Sequence, residues 1–378
     1  MIKTYYPMPT PKKSTPKKVA TPTRKTTPAK KPVVVQIPSL KSALKNKVLG
    51  CAIGAMVGDA LGMPTEFKTY PFKRGGKIIK TMVSEMVDGG FYDGQGNKLT
   101  AGSFTDDTEM SLCILDAYAK DDGHRLRFEN VAREFLAWYK AGPEDIGIYT
   151  QEVLSSMKTP SNWANAAVFA YCKNPIKSAA NGCAMRCWST SVVCAQVHGV
   201  GDNVKKHFYS EAVGQSMVTH LNPYAIFGAV YINLVHYYLF KGNTLKDAFT
   251  LAVNDELLTD KLPKDFEQKI RAAIAKPLPF ATLVKKNENT GFVVHSVINT
   301  IHAALSTSSL EDAISYGASC GQDSDTVASI IGGVVGAYYG FNNIPKKWLT
   351  KLNGKWPINS TKKLKLQELV AKVEMFGK

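Results

Sequence analysis

Two stretches of the chain place a glycine at every fourth position: Gly50, Gly54, Gly58 and Gly62 in one, Gly332, Gly336 and Gly340 in the other. Both are otherwise apolar and read as helices. A glycine inside a helix costs about 1 kcal/mol against alanine, so repeated glycines need an offsetting role. A spacing of four stacks them on one face. A face without side chains lets a second helix approach backbone to backbone. Membrane helices use the same device, but here each helix carries acidic residues at one end. The pattern predicts two helices packed closely at the centre of the fold, with their polar ends brought together.

The remainder of the chain supports a helical reading. Helical periodicity predicts helices near 41–62, 107–120, 126–140, 161–172, 184–197, 203–220, 223–240, 244–257, 263–275, 290–306, 310–318, 325–340 and 361–376. One weak strand-like piece lies at 77–83. No long tandem repeat is found. The expected fold is all-α: a single compact multi-helix domain over 41–378, with 346–378 as a basic helical extension.

The formal net charge is +16, yet it is unevenly spread. Residues 1–40 hold nine basic residues and no acid, and 346–378 hold nine basic and two acidic residues, which leaves the body at 29 of each sign. A nucleic-acid reader whose whole surface is positive is therefore excluded. Residues 1–40 also contain eight prolines and seven threonines. Such a segment buries too little apolar surface to offset its ordering entropy, so a disordered, extended basic tail is expected. The tail is a candidate weak anchor on nucleic acid or another anionic partner.

The seven cysteines include no CxxC pair and sit mostly in apolar runs. They read as free thiols in a reducing, intracellular compartment, cytoplasm or nucleus. The start of the chain has no apolar core of a secretory signal. The apolar run 223–240 contains Asn233 and His236, which suits a buried helix better than a membrane span. No membrane partner is expected, and the chain is expected to be a monomer.

Chemistry concentrates in a few short motifs. Ser103-Phe104-Thr105-Asp106-Asp107-Thr108 opens one helix, and Gly321-Gln322-Asp323-Ser324-Asp325-Thr326 opens the second glycine-faced helix. Capping needs one such side chain per helix, so the second aspartate in each motif is surplus. Carboxylates and hydroxyls are the ligands that hard divalent cations take, and two such clusters can hold two ions between them. Glu66 follows the first glycine helix in GDALGMPTEF, where partial burial raises a carboxyl for proton transfer. Asn181-Gly182 forms a turn feeding a helix, a setting for a phosphate or other polar group. His220 lies at a helix junction before Asn222-Pro223.

In this order the segments GDALGMPTEF, SFTDDTEM, NGCAMR, THLNP and GQDSDTVASIIGGVVGAYYG resemble the ADP-ribosylglycohydrolase family, over about three quarters of the chain from Leu49 to Gly340. The resemblance implies an all-α fold with a central di-metal cleft. It implies two divalent cations, Mg²⁺ or Mn²⁺, and hydrolysis at ribose C1″ of ADP-ribosylated proteins or small ADP-ribose conjugates. Matched by motif, Thr105, Asp106, Asp107, Asp323, Asp325 and Thr326 would be metal ligands. Glu66, Asp107 and Asp325 would be catalytic, and Gly147, Ser178, Asn181, Gly182 and His220 would bind substrate. Gln322 departs from the pattern, standing where many members have another glycine; Ser324 and Ala179 also depart. Two other readings compete: a non-catalytic ADP-ribose-binding or structural relative, and a two-metal hydrolase of another bond such as a phosphoester.

Overall fold

A computed structural model describes residues 42–74, 77–92, 96–120, 125–286 and 288–377. The expected tail at 1–40 lies outside the described residues. The helices are α1 (Ala43–Gly62), α2 (Asp106–Ala119), α3 (Phe128–Lys140), α4 (Ile148–Ser156), α5 (Trp163–Lys173), α6 (Trp188–His198), α7 (Lys205–Met217) and α8 (Pro223–Lys241). They continue with α9 (Leu245–Val253), α10 (Lys264–Ala275), α11 (Phe280–Leu283), α12 (Val293–Ser306), α13 (Leu310–Ala318), α14 (Ser324–Tyr339), α15 (Lys346–Leu349) and α16 (Leu366–Glu374). Among the described residues, four three-residue strands form two antiparallel pairs: β1 (Phe72–Arg74) with β2 (Lys77–Ile79), and β3 (Asn353–Lys355) with β4 (Lys363–Lys365).

The all-α expectation holds, and the glycine faces meet as predicted. A Cβ added at Gly54 would lie 2.3 Å from the Gly332 carbonyl oxygen, and one added at Gly336 would lie 2.1 Å from that of Gly50. Nothing larger than hydrogen fits between α1 and α14. From Val48 to Gly62, α1 is buried on every side. The segment Ala43–Thr65 is long and apolar enough to cross a membrane, but all of its apolar window is buried inside the protein. Helix α8 is likewise a core helix, with Asn233 and His236 buried and bonded to Ser191.

The structure differs from the expected elements at several points. Helix α4 was not anticipated; it is nine residues long and lacks a strong apolar stripe. Strand pairing is limited to Lys77–Ile79 within 77–83. The helix expected over 361–376 begins at Leu366, because Lys363–Lys365 pairs with Asn353–Lys355 instead.

Residues 346–377 are also more than an extension. Asn353 accepts from Phe104 N–H (3.1 Å) and donates its own N–H to the Gly102 carbonyl (2.8 Å). Gly354 lies against the Phe104 ring so closely that a Cβ would approach it to 2.1 Å. The Trp356 indole donates to Asp116 of α2 (2.9 Å), and the Lys372 ammonium reaches the same carboxylate (2.6 Å). This segment braces the loop that delivers Thr105, Asp106 and Asp107.

Candidate functional site

Because α1 and α14 are locked along their glycine faces, the C-terminal end of one lies beside the N-terminal end of the other. Thr65 joins them: its hydroxyl donates to the Ala318 carbonyl (2.6 Å) and contacts the Ser324 hydroxyl (3.1 Å). Beyond it the backbone forms a reciprocal clasp, Phe67 N–H to Gln322 O (2.7 Å) and Gln322 N–H to Lys68 O (2.8 Å). Gly321 has φ +70, and a Cβ there would sit 2.2 Å from the Lys68 carbonyl oxygen. Gln322 adopts φ +52, in the left-handed region that favours glycine. That is the physical reason a glycine suits this position. The clasp holds Glu66 over Asp323 and Asp325.

These residues line a cleft of 1010 Å³, together with Asp106, Asp145, Gly147, Asn181, Gly182, His220 and Thr326. One carboxylate oxygen from each of Glu66, Asp145 and Asp325 lies within 4.8 Å of the other two. Phe67, Ile148 and Ile176 are exposed apolar residues at the same cleft.

The carboxyl groups raise one another's proton affinity. Burial, reinforced by the charges of Asp325 and Asp145, pushes Glu66 far above the usual carboxylate range. Burial, with the Asp59 charge adding, raises Asp106 to about 7. Asp145 is pushed up to about 10, first by burial and then by Asp106 and Asp325. Asp107 and Asp325 are raised well above normal, and Asp323 is raised, burial being the leading cause in each. Two buried oxygens here, Glu66 Oε2 and Asp107 Oδ1, have no hydrogen-bond partner among the described residues. Crowded carboxylates with orphaned oxygens fit a hard divalent cation, whose charge offsets theirs.

Other predicted residues occupy supporting positions. The Thr105 hydroxyl donates to Asp59 (2.8 Å). The Thr326 hydroxyl donates to Asp107 Oδ2 (3.3 Å), tying the two acidic motifs together. Gly147 N–H donates to Asp106 Oδ2 (3.2 Å). Asn181 spends its amide N–H groups on Asp323 Oδ2 (2.6 Å) and Ser296 Oγ (2.8 Å), so that end of the side chain orients Asp323. Ser178 is buried, and its hydroxyl donates to the Pro175 carbonyl (2.5 Å), holding its own turn. Gly182 permits close packing: a Cβ there would come to 3.1 Å from both His220 Cε1 and Thr150 Oγ1.

Two further acids in the centre were not singled out as site residues from the sequence. Asp145 joins the carboxyl group at the mouth; the family pattern matched its loop, Asp145-Ile146-Gly147, through Gly147 as a loop over the substrate and not through the acid. Asp59 is fully buried and accepts four hydrogen bonds, from the N–H and hydroxyl of both Thr105 and Thr108 (2.6–3.1 Å). Burial raises it to about 6, partly offset by those four donors. A carboxylate inside an otherwise apolar glycine helix was the available clue. Asp59→Ala leaves four buried donors without an acceptor. It is expected to cost about 3 kcal/mol of stability, read by urea denaturation. A loss under about 1 kcal/mol would show that Asp59 does not hold the α2 start.

The family model described as ADP-ribosylglycohydrolase matches residues 40–375. The ADP-ribosylarginine hydrolase Tri1 of Serratia proteamaculans is 27% identical, aligned over 84% of this chain and 77% of its own length. The ADP-ribosyl-[dinitrogen reductase] glycohydrolase of Rhodospirillum rubrum is 24% identical over 83% of this chain and 92% of its own. A solved structure titled ADP-ribosylglycohydrolase-related protein complex has the same fold, with a TM-score of 0.61 at 20% identity over 89% of this chain and 98% of that one. The family match also reaches through 346–375, beyond the Leu49–Gly340 span that carries the resemblance, in keeping with the brace formed by the C-terminal segment. The chain belongs to the ADP-ribosylglycohydrolase family.

Proposed function

We propose that the protein is a divalent-cation-dependent hydrolase that cleaves the bond at ribose C1″ of ADP-ribosyl conjugates and releases ADP-ribose. The observation that carries this is the carboxyl group of Glu66, Asp145 and Asp325 at the mouth of a cleft large enough for a nucleotide-sized ligand. Family membership and the activities for which the relatives are named support it.

Thr105, Asp106, Asp107, Asp323, Asp325 and Thr326 are the proposed holders of two cations, Mg²⁺ or Mn²⁺, with Asp145 added from its place in the cleft. Such cations supply Lewis-acid polarisation of ligand oxygens and orient the substrate. Glu66 is the proposed proton carrier. Water attacks C1″ as the bond to the acceptor breaks; Glu66, its carboxyl held protonated by burial and by the Asp325 and Asp145 charges, gives its proton to the departing nitrogen or oxygen and takes one back from the water. Asn181 and Gly147 keep Asp323 and Asp106 in place throughout. Gly147, Gly182 and His220 form the wall proposed to receive the nucleotide part, with Ser178 fixing the turn behind it.

The free thiols of Cys51, Cys113, Cys183, Cys187, Cys194 and Cys320, all buried, support action in a reducing, intracellular compartment. The protein is proposed to act as a monomer, and the tail at 1–40 to contribute at most a loose anionic contact.

The direct test is release of ADP-ribose from defined arginine-linked and serine-linked peptides with Mg²⁺, and again with EDTA. Release with Mg²⁺ and its loss in EDTA are the expected results. Absence of release from both peptides and from small-molecule conjugates would refute the reading.

A further inference from the structure

His220 is fully buried, yet its Nε2 has no hydrogen-bond partner among the described residues. His220 and Gly182 both line the cleft, and this nitrogen lies 3.3 Å from where a Cβ on Gly182 would stand. Whether it carries a hydrogen decides what it can do there: Nε2–H donates, and a bare Nε2 accepts.

The answer comes from the other side of the ring. Nδ1 lies 2.7 Å from the Thr219 hydroxyl oxygen. That oxygen also receives Arg186 Nη2 at 2.8 Å. A guanidinium only donates, so Thr219 accepts from it. The hydroxyl's single proton then has one acceptor among the described residues, His220 Nδ1. The opposite arrangement, with Nδ1–H pointing at Thr219, would leave the hydroxyl proton buried without an acceptor, which is costly.

Arg186 is itself held rigidly. It is fully buried and donates through Nε to Gln215 Oε1 (2.8 Å) and through Nη2 to the Gln215 carbonyl (2.9 Å). Its guanidinium carbon sits 4.4 Å above the centre of the Phe135 ring. Gln215 in turn donates to the Cys183 carbonyl (2.8 Å), in the turn that carries Gly182. None of these contacts is with a carboxylate. This cation is placed to orient a hydroxyl.

We propose that Arg186 and Thr219 are positioning residues that hold neutral His220 as the Nε2–H tautomer, so that this N–H donates to an oxygen of the ligand in the cleft. The identity of that ligand as an ADP-ribosyl group rests on the function proposed above; the tautomer does not. The relay favours acceptor oxygens, phosphate or ribose, over a ligand group that itself donates.

The test uses full-length protein with ¹⁵N-labelled histidine and two-bond ¹H–¹⁵N correlation spectra, the His220 signals being assigned with H220Q. The expected pattern near pH 7 is a protonated Nε2 and a bare Nδ1. Thr219→Ser keeps the hydroxyl and should keep both the pattern and the ADP-ribose affinity. Thr219→Val should lose the preference for Nε2–H and weaken ADP-ribose binding by about tenfold, the worth of roughly one hydrogen bond. Calorimetry reads the affinity. In turnover the effect should fall on KM more than on kcat. A wild-type His220 carrying its proton on Nδ1 would overturn the proposal, as would a folded Thr219→Val with unchanged tautomer and affinity. If the valine variant does not fold, the wild-type spectrum and the serine variant still decide it. An intact Nε2–H pattern in a protein that releases no ADP-ribose would refute the hydrolase reading and leave the relay standing.

Discussion

Asp325→Asn is expected to lower turnover by more than about a hundredfold, beyond the loss typical when only the groups behind a metal ligand are changed, while making the cation-free protein more stable. The asparagine keeps an oxygen for the Thr326 N–H, which Asp325 Oδ1 accepts at 2.8 Å. It removes one ionisable carboxyl from a buried set whose members all have raised pKa values. A group whose folded-state pKa is raised stabilises the fold below its unfolded value, near 4 for a carboxyl. That contribution is lost as pH rises through the folded value, about 7 for Asp106 and about 10 for Asp145. In EDTA the wild-type Tm should therefore fall as pH increases.

Histidines work in the other direction. Burial lowers His236 to about 3 and, helped by Lys286, His302 to about 4, so those groups destabilise the fold as pH drops below about 6.5. The carboxyl effect is cleanest from neutral pH upward. There, adding Mg²⁺ should raise the wild-type Tm by mass action, and raise that of Asp325→Asn less. A variant that keeps wild-type turnover, or that gains as much from Mg²⁺ as wild type does, would remove Asp325 from the proposed centre.

Gly332→Val is expected to cost at least about 3 kcal/mol, a large share of the stability of an ordinary domain. Its Cβ alone would stand 2.0 Å from the Gly54 carbonyl oxygen and 2.6 Å from its carbon. No rotamer relieves a collision made by Cβ with backbone. The helices would have to separate, and with them the ends that carry Glu66 and Asp325. Gly142→Ala is the contrast: φ is +76 but nothing among the described residues lies within 4 Å, so only the backbone cost of about 1 kcal/mol applies. Urea denaturation of both variants separates packing from conformational cost. A Gly332→Val protein within about 1 kcal/mol of wild type would show that α1 and α14 can part without penalty.

Much of this architecture is visible along the chain because it is periodic or local. The glycine repeats of α1 and α14 report a shared face directly, since spacing and helical pitch together place them on one line. The motifs at Thr105–Asp107 and Asp323–Thr326 are legible for a similar reason: each gathers its oxygens within one turn. Gln322 could be recognised as a departure from the family pattern, but not as a residue at φ +52. Asn181 and Ser178 could be named, but not the fact that their polar atoms are spent on Asp323, Ser296 and Pro175.

By itself the sequence determined that the fold is helical, that two of its helices touch backbone to backbone, and that two acidic motifs open helices. These follow from residue spacing and from the cost of glycine and of surplus carboxylates. Only the tertiary structure decided that Asp59 organises the α2 start, that Asp145 joins Glu66 and Asp325, and that Arg186 reaches His220 through Thr219. It also turned the basic C-terminal segment from an appendage into the brace of an acidic loop. Each of these depends on contacts between segments far apart in the chain. Hydrogen bonds and charges act over a few ångströms of space, and no spacing along the chain encodes which distant carboxylate or guanidinium folding will bring within that reach.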